Sequence, residues 1–318
     1  MTAQMRTQPR AEETMAKDRA ADPIDPDPPV AEDAPLRDFD LALDRQHHAR
    51  FERRGPRLLV AFAGVHGRGD LDGHRPALDA LADDVDWSVL SLAARGDTWF
   101  RTPAVIAFFD RLVDTAFLDR FDDVLFQGTG PGGHAALSYA VCAPLSRVLA
   151  VAPQVTLAPG AADWDMRFDP DPALDFDSRY PATEAPETAD RVYLVYDPLS
   201  DEDARHAALL DGETVVRLRV PLLMPEIEAT LTELDMLDPT AVAAMEGTLD
   251  RLSFAQGFRV RRDSPMYIRR LVKRLSEDGH DRRAAVVLGN FARRSGNRRF
   301  QKRFERLRDE LAERGIAV

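Results

Sequence analysis

From residue 57 to residue 220, short apolar runs alternate with segments of helical spacing. The apolar runs are rich in Val and Leu and stay apolar at consecutive positions, which is typical of strands buried on both faces. They predict strands at 57–63, 87–92, 123–127, 147–152, 191–197 and 214–220. Apolar residues three and four positions apart predict the intervening helices at 75–83, 102–120, 132–143, 201–210 and 226–234. Strands that alternate with helices predict an α/β domain with a mainly parallel sheet.

The segments outside this alternation have compositions of their own. Residues 1–36 are rich in Ala, Pro, Asp and Glu, which predicts a disordered leader. Residues 38–53 are predicted to be helical, at the start of an α/β domain that covers 37–238. The Pro- and Asp-rich segment 155–190 also carries aromatic residues, so we expect an ordered, cap-like insertion. Apolar residues at helical spacing predict a helical appendage at 239–318.

The charge is distributed unevenly along the chain. The net charge is -12, yet residues 251–314 hold 19 Lys and Arg against 8 Asp and Glu. An acidic body with a basic tail predicts an anionic partner for the C-terminal helices. The apolar runs fall well short of the roughly 20 residues that a membrane span needs, so none is expected. No secretory signal is apparent, and Cys142 is the single cysteine, which together favour a cytoplasmic location.

The most informative stretch is a glycine-rich turn between a predicted strand and a predicted helix. Strand 123–127 runs into Gly128-Thr129-Gly130-Pro131-Gly132-Gly133 and then into a helix of small residues. The turn resembles the nucleophile elbow G-x-S-x-G of α/β-hydrolases, in the GxSxGG form of a bacterial branch. Ala152-Pro153-Gln154 and Tyr196-Asp197 follow in the order that this branch shows. The resemblance covers about 57–237 and implies an α/β-hydrolase-type sheet and a glycan-related role.

The sequence departs from this pattern at the residues that would carry the chemistry. Gly130 occupies the nucleophile position, and Pro131 lacks the N–H that would bind the oxyanion. Loss of one such donor costs about 2.7–4 kcal/mol of transition-state stabilisation. The segment after the last strand, 221–226, contains no His to partner an acid at Asp197. The pattern therefore predicts a catalytically degenerate protein that acts as a ligand-binding or scaffold module.

The turn remains a candidate ligand site, because open α/β sheets bind ligands at the carboxyl ends of their strands. A helix N-terminus there would suit a small anionic or sugar-like ligand. The candidate binding residues are Gly128, Thr129, Gly130, Gly132, Gly133, His134 and, from the loop after the first strand, Arg68. The insertion is expected to add the polar and aromatic side chains of Trp164, Arg167, Phe168, Arg179 and Tyr180. No cofactor, metal or oligomeric state is predicted.

Two alternatives remain open. One is a hydrolase or an acyl or glycosyl transferase with a non-standard constellation, for which His66, His134 and Asp197 are the candidate groups. The other is nucleotide binding, because Gly128, Gly130 and Gly133 match the dinucleotide pattern G-x-G-x-x-G. The next strand, however, ends in Ala152-Pro153-Gln154 instead of the acidic residue that would hold a ribose.

Overall fold

The computed structural model describes residues 35–65, 71 and 74–318 of the chain. Within these ranges, eight strands form one sheet in the order β1-β2-β4-β3-β5-β6-β7-β8. They are β1 (Phe39–Ala42), β2 (His47–Glu52), β3 (Arg57–Val65), β4 (Ser88–Arg95), β5 (Asp123–Thr129), β6 (Arg147–Val151), β7 (Arg191–Tyr196) and β8 (Val215–Arg219). β3 to β8 are parallel, whereas β2 is antiparallel to both β1 and β4. The predicted α/β-hydrolase-type sheet is confirmed.

Helices cover both faces of the sheet and continue beyond it. In the α/β part they are α1 (Asp79–Asp84), α2 (Pro103–Asp114), α3 (Pro131–Tyr139), α4 (Ala185–Thr188), α5 (Asp201–Leu209) and α6 (Ile227–Glu233). The C-terminal region adds α7 (Leu237–Met245), α8 (Arg251–Gly257), α9 (Pro265–Glu277), α10 (Asp281–Ser295) and α11 (Arg298–Glu313). Short 3-10 turns occupy Leu118–Arg120, Ala140–Cys142, Ala182–Glu184 and Phe258–Asp263. The predicted helical C-terminal region is therefore present.

Successive residues of the central strands enter opposite cores. In β3, Leu58 and Val60 pack into the core beneath α2 and α3, while Leu59 and Ala61 pack into the core beneath α6 to α10. All four residues are fully buried. Because both faces are covered, polar residues cannot alternate along these strands, which explains their continuous apolar character.

The helix predicted at 38–53 is wrong, because this segment forms the β1–β2 hairpin. Phe39, Leu41 and Leu43 are spaced two apart, and this is the period of a strand. The Asp44 carboxylate closes the turn by accepting hydrogen bonds from the backbone N–H groups of Gln46 (2.7 Å) and His47 (2.8 Å). An aspartate that binds backbone N–H groups two and three residues on favours a turn over a continuing helix.

Segment 155–190 holds the loop that follows β4. The buried guanidinium of Arg101 donates hydrogen bonds to the carbonyl oxygens of Asp175 (2.7 Å), Arg179 (2.5 Å) and Tyr180 (3.0 Å). The indole of Trp99 packs edge-on against Phe168 and Phe176. A buried arginine that is satisfied by backbone carbonyls fixes both segments to each other. The segment thus packs against the loop after β4 through Arg101 and Trp99.

The helical C-terminal region packs on the sheet. Arg147, at the start of β6, donates to the carboxylates of Asp123 (2.9 Å) and Asp190 (3.1 Å) and to the carbonyl oxygen of Met245 at the end of α7. The region also contributes Phe254, Phe258 and other residues to the core that contains Leu59 and Ala61 of β3. These contacts make the region an integral part of the packed molecule.

Among the described residues, no helix combines the length and the apolar character that crossing a membrane requires.

Candidate functional site

The glycine-rich turn has the backbone geometry of a nucleophile elbow. Gly130 lies between β5 and α3 with φ 56° and ψ -118°, in a region that residues with a side chain rarely adopt. Its N–H donates to the carbonyl oxygen of Val151 (2.8 Å), which fixes the turn against β6. A Cβ built on Gly130 would have Gln154 Oε1 as its nearest neighbour, 3.7 Å away. There is room for a side chain at the apex, and the sequence supplies none.

The other glycines of the turn allow β5 and α3 to approach closely. A Cβ on Gly128 would lie 2.2 Å from the carbonyl oxygen of Gly132, and one on Gly132 would lie 2.5 Å from that of Phe62. A Cβ on Gly133 would be 3.1 Å from the carbonyl oxygen of Gly128. Backbone packing therefore accounts for the G-x-G-x-x-G spacing without a nucleotide. The turn also follows β5, inside the sheet, and not the opening strand of a dinucleotide-binding unit.

A cavity of about 490 Å³ opens beside the turn. It lies at the carboxyl ends of β3, β4 and β5, where the chain order reverses between β3 and β5, and this is where open α/β sheets bind ligands. Its walls include the predicted Thr129, Gly130 and Gly132. They also include side chains that the sequence did not single out, namely Phe62, His74, Arg75, Asp97, Thr98, Trp99, Phe100, Gln127 and Glu228.

Several polar side chains of this cavity are already hydrogen-bonded or ion-paired to neighbouring residues. The Thr129 hydroxyl donates to the Glu228 carboxylate at the start of α6. Arg75 forms an ion pair with Asp79. Burial lowers the pKa of His74, which favours its neutral form. The described part of the cavity wall is consequently neutral to acidic rather than cationic.

The loop that forms one wall of the cavity has an unusual backbone. Trp99 and Phe100 are consecutive and have φ values of 46° and 58°. Bulky residues with positive φ cost about 1–3 kcal/mol each and persist only where their surroundings hold them. Here Arg101 and segment 155–190 hold the loop, and the Trp99 indole N–H donates to Gln154 Oε1 (3.3 Å).

Asp197 directly follows β7, where a hydrolase acid would be, but it has no imidazole partner among the described residues. Its carboxylate accepts hydrogen bonds from the backbone N–H groups of Leu199 (2.9 Å) and Met224 (3.2 Å). Met224 belongs to the segment after β8 in which a hydrolase carries its histidine. The acid position thus contacts the expected segment, where it fixes backbone instead of orienting a base.

His134 lies in α3 and is completely buried away from the cavity walls. Its Nδ1 is 2.9 Å from the carbonyl oxygen of Gln154, and its Nε2 is 3.2 Å from the Ser138 hydroxyl. Nδ1–H therefore donates to the carbonyl, and Nε2 accepts from the hydroxyl. Burial and the charge of Arg101 lower the pKa of His134 to about 3. A neutral imidazole with both nitrogens bonded supports the packing of α3 and does not reach a ligand in the cavity.

Of the remaining predicted residues, two do not line the cavity and two are not described by the structure. Gly128 and Gly133 lie behind its wall, in the contact between β5 and α3. His66 and Arg68 lie outside the described residues.

The insertion does not supply the predicted pocket side chains. Trp164 packs against His206, Phe168 packs behind Trp99, and the Tyr180 hydroxyl donates to Asp110. Arg167 bridges the carboxylates of Asp165 and Asp203, and Arg179 pairs with Asp110. The expectation that these five residues line the pocket is wrong, because they anchor the insertion to α2, α5 and the loop after β4.

No protein-family model matches the sequence, and the search of curated proteins gave no match. Among solved structures, an arylesterase shares 18% identity, with a TM-score of 0.42 over 64% of this chain and 83% of its own. A carboxyl esterase 2 from the mycorrhizal fungus Tuber melanosporum shares 15%, with a TM-score of 0.43 over 66% and 87%. An α/β-hydrolase enzyme from the metagenome of Lake Arreo, Spain, shares 18%, with a TM-score of 0.44 over 70% and 85%. Likenesses this distant say nothing about activity, and the strand order of this chain itself defines an α/β-hydrolase fold.

Proposed function

We propose that the chain is an α/β-hydrolase-fold protein with a catalytically degenerate elbow, and that the cavity beside Gly130 binds a small sugar-like ligand. The observation that carries the proposal is the turn itself. Gly130 holds the backbone conformation of an elbow, presents no side chain, and opens on a cavity at the ligand-binding end of the sheet. Pro131 removes an oxyanion N–H, and 221–226 contains no His, so the elbow has no machinery for acyl transfer.

The cavity walls favour a neutral, hydroxyl-rich ligand over an anion. Phe62, Trp99 and Phe100 provide aromatic surface, while Gln127 and Glu228 provide hydrogen-bonding groups. The carboxylate of Glu228 would repel an anion, and Arg75 is already paired with Asp79. A few polar groups in an aromatic pocket suit a sugar, since its hydroxyls can donate to the carboxylate. The glycan-related role implied by the sequence resemblance agrees with this choice.

Thermal unfolding with neutral saccharides and with sugar phosphates tests the ligand class. A ligand present at 100 times its dissociation constant stabilises the folded protein by about 2.7 kcal/mol. We expect a neutral saccharide to raise the melting temperature, and Glu228→Gln to reduce that shift. Glu233→Gln is the matched control, because Glu233 is an exposed carboxylate of the same helix outside the cavity wall. Stabilisation by sugar phosphates alone would contradict the proposal.

Gly130→Ser tests the degeneracy of the elbow. The substitution restores a hydroxyl at the apex, but it restores neither the histidine nor the N–H that Pro131 lacks. We expect no gain in ester hydrolysis over the unchanged protein and no fluorophosphonate adduct at position 130. A gain in hydrolysis together with an adduct at that position would show that the elbow retains working partners.

A further inference from the structure

A chain of three hydrogen-bonded side chains ends in the wall of the cavity. The Asp44 carboxylate is 2.9 Å from His47 Nδ1, and His47 Nε2 is 2.7 Å from the Thr98 hydroxyl. Asp44 and His47 come from the β1–β2 hairpin, whereas Thr98 belongs to the loop after β4. His47 is fully buried, and Thr98 lines the cavity. The sheet topology brings His47 into contact with Thr98, which lies 51 positions further along the sequence.

The contacts define where the protons lie. A carboxylate only accepts, so His47 Nδ1 carries the hydrogen and donates it to Asp44. In the neutral imidazole, Nε2 then carries no hydrogen and accepts that of the Thr98 hydroxyl. Burial alone would raise the pKa of Asp44, but hydrogen bonds from His47, Gln46 and Thr102 outweigh it and lower this pKa to about 2. Asp44 is therefore ionised at neutral pH and fixes the imidazole tautomer.

Asp44, His47 and Thr98 have the mutual arrangement of an acid, a base and a hydroxyl nucleophile. Such a triad is recognised by geometry and by the role of each member, independently of the order in the sequence. We propose that Thr98 is a nucleophile toward small acyl esters that enter the cavity, with His47 as its general base and Asp44 as the positioning residue. The proposal goes beyond ligand binding and does not use the elbow.

The reaction balances without an additional reactant besides water. His47 Nε2 takes the Thr98 proton while Thr98 Oγ1 bonds to the ester carbonyl carbon. The carbon–oxygen bond to the alcohol then breaks, and the alcohol leaves with the proton from His47. Water attacks the acyl-threonine and gives a proton to His47. That proton returns to Thr98 as the carboxylic acid departs.

Other walls of the cavity fit this chemistry. Phe62 and Phe100 offer apolar surface for a short acyl chain. Gly132, in the first turn of α3, also lines the cavity, and N–H groups in a first helical turn have no acceptor within the helix. Such donors are the kind that stabilise an oxyanion. The positive φ values of Trp99 and Phe100 place backbone strain directly after Thr98, as is common beside reacting groups.

The same hydrogen bonds also join the hairpin to the loop after β4, so a purely structural role has to be separated by experiment. The test is turnover of p-nitrophenyl acetate by the full chain, with mass spectrometry to locate any acetyl group. Thr98→Val removes the hydroxyl, and Thr98→Ser retains one. Thr240→Val is the matched control, because Thr240 is equally buried but lies in α7 and donates only to the Met236 carbonyl (2.6 Å).

We expect turnover by the unchanged protein, by Thr98→Ser and by Thr240→Val, and only background hydrolysis by Thr98→Val. His47→Gln should lower kcat at least about 100-fold, as loss of a general base does. Asp44→Asn should lower kcat with little change in KM, since Asp44 does not line the cavity. In the unchanged protein, rapid acid quenching should trap the acetyl group on Thr98.

An unchanged rate in Thr98→Val, an acetyl group on another residue, or no turnover by the unchanged protein would overturn the proposal. Location of the acetyl group needs no variant, so this arm holds even if Thr98→Val fails to fold. The outcome is also distinct from that of the binding proposal. A folded protein that is stabilised by a saccharide and never acetylated retains the binding role and loses the catalytic one.

Discussion

Gly128 and Gly130 are two residues apart, yet alanine at these positions should have different costs. A Cβ at Gly128 would lie 2.2 Å from the carbonyl oxygen of Gly132, and only movement of α3 away from β5 could relieve this clash. A Cβ at Gly130 meets nothing closer than Gln154 Oε1 at 3.7 Å, so the cost there comes from the backbone at φ 56°. The first cost is steric and the second is conformational.

The magnitudes follow from these two causes. Backbone strain at Gly130→Ala costs about 1–3 kcal/mol. Reduced freedom of the unfolded chain returns about 0.4–1 kcal/mol of this. Overpacking usually costs about 1–3 kcal/mol, and a clash between backbone atoms belongs at or above the upper end of that range. We therefore expect Gly128→Ala to destabilise the protein by at least about 3 kcal/mol and Gly130→Ala by about 1–2 kcal/mol.

Urea unfolding of the purified variants measures both differences. Gly160→Ala is the control for conformation alone, because Gly160 has φ 83° and its Cβ would meet no atom within 4 Å. It should resemble Gly130→Ala. Equal losses at positions 128 and 130 would refute the assignment of different causes. A stable Gly128→Ala variant would refute the close approach of β5 and α3.

Further predictions concern other parts of the molecule. Burial lowers the pKa of His134 to about 3, so near pH 6.5 only the unfolded chain gains a proton at this residue. Below pH 6.5 the unfolding free energy should therefore fall by up to about 1.4 kcal/mol per pH unit. Urea unfolding of His134→Asn should show a weaker dependence of this free energy on pH. Arg147→Ala should lower the unfolding free energy by about 2–3 kcal/mol, because it removes the charged hydrogen bonds to Asp123, Asp190 and the Met245 carbonyl. Arg191→Ala, at an exposed position nearby, should lower it less. α11 exposes three basic residues, Lys302, Arg303 and Arg306. If this face binds an anionic partner, the variant with Glu at all three positions should elute from a heparin column at lower salt than the unchanged protein. Elution at the same salt concentration would count against that partner.

Most of the sheet could be predicted from the sequence because its strands are covered on both sides. Two-sided burial requires continuous apolar runs, and β3 to β8 were all indicated in this way. The β1–β2 hairpin is not a continuous apolar run, because β2 buries four of its six residues and two of these are His47 and His48. The distinguishing signal was the turn at Asp44, whose side chain binds the N–H groups that follow it.

The site could be predicted only where it is local in sequence. The turn from Gly128 to Gly133 carries its own signature, so its position and the glycine at its apex were visible. The contribution of Thr98 and Trp99 depends on β4 lying beside β3, and that of Glu228 depends on α6 reaching the end of β5. No spacing rule connects these residues. The general rule that loops at the carboxyl ends of neighbouring strands meet would have selected the loop after β4 as a candidate.

The shape of the elbow and the chemistry of the cavity are separate properties of this fold. Gly128 and Gly132 show that β5 and α3 are in backbone contact, and this contact requires a sharp turn whatever residue is at position 130. Glycine adopts the required conformation without the strain that a serine would bear. The sharp shape of the turn therefore carries no information about catalysis. Information about chemistry has to come from the side chains that line the cavity. Within its described wall, Thr98 carries a hydroxyl that is bonded to a base, and an oriented acid lies behind that base.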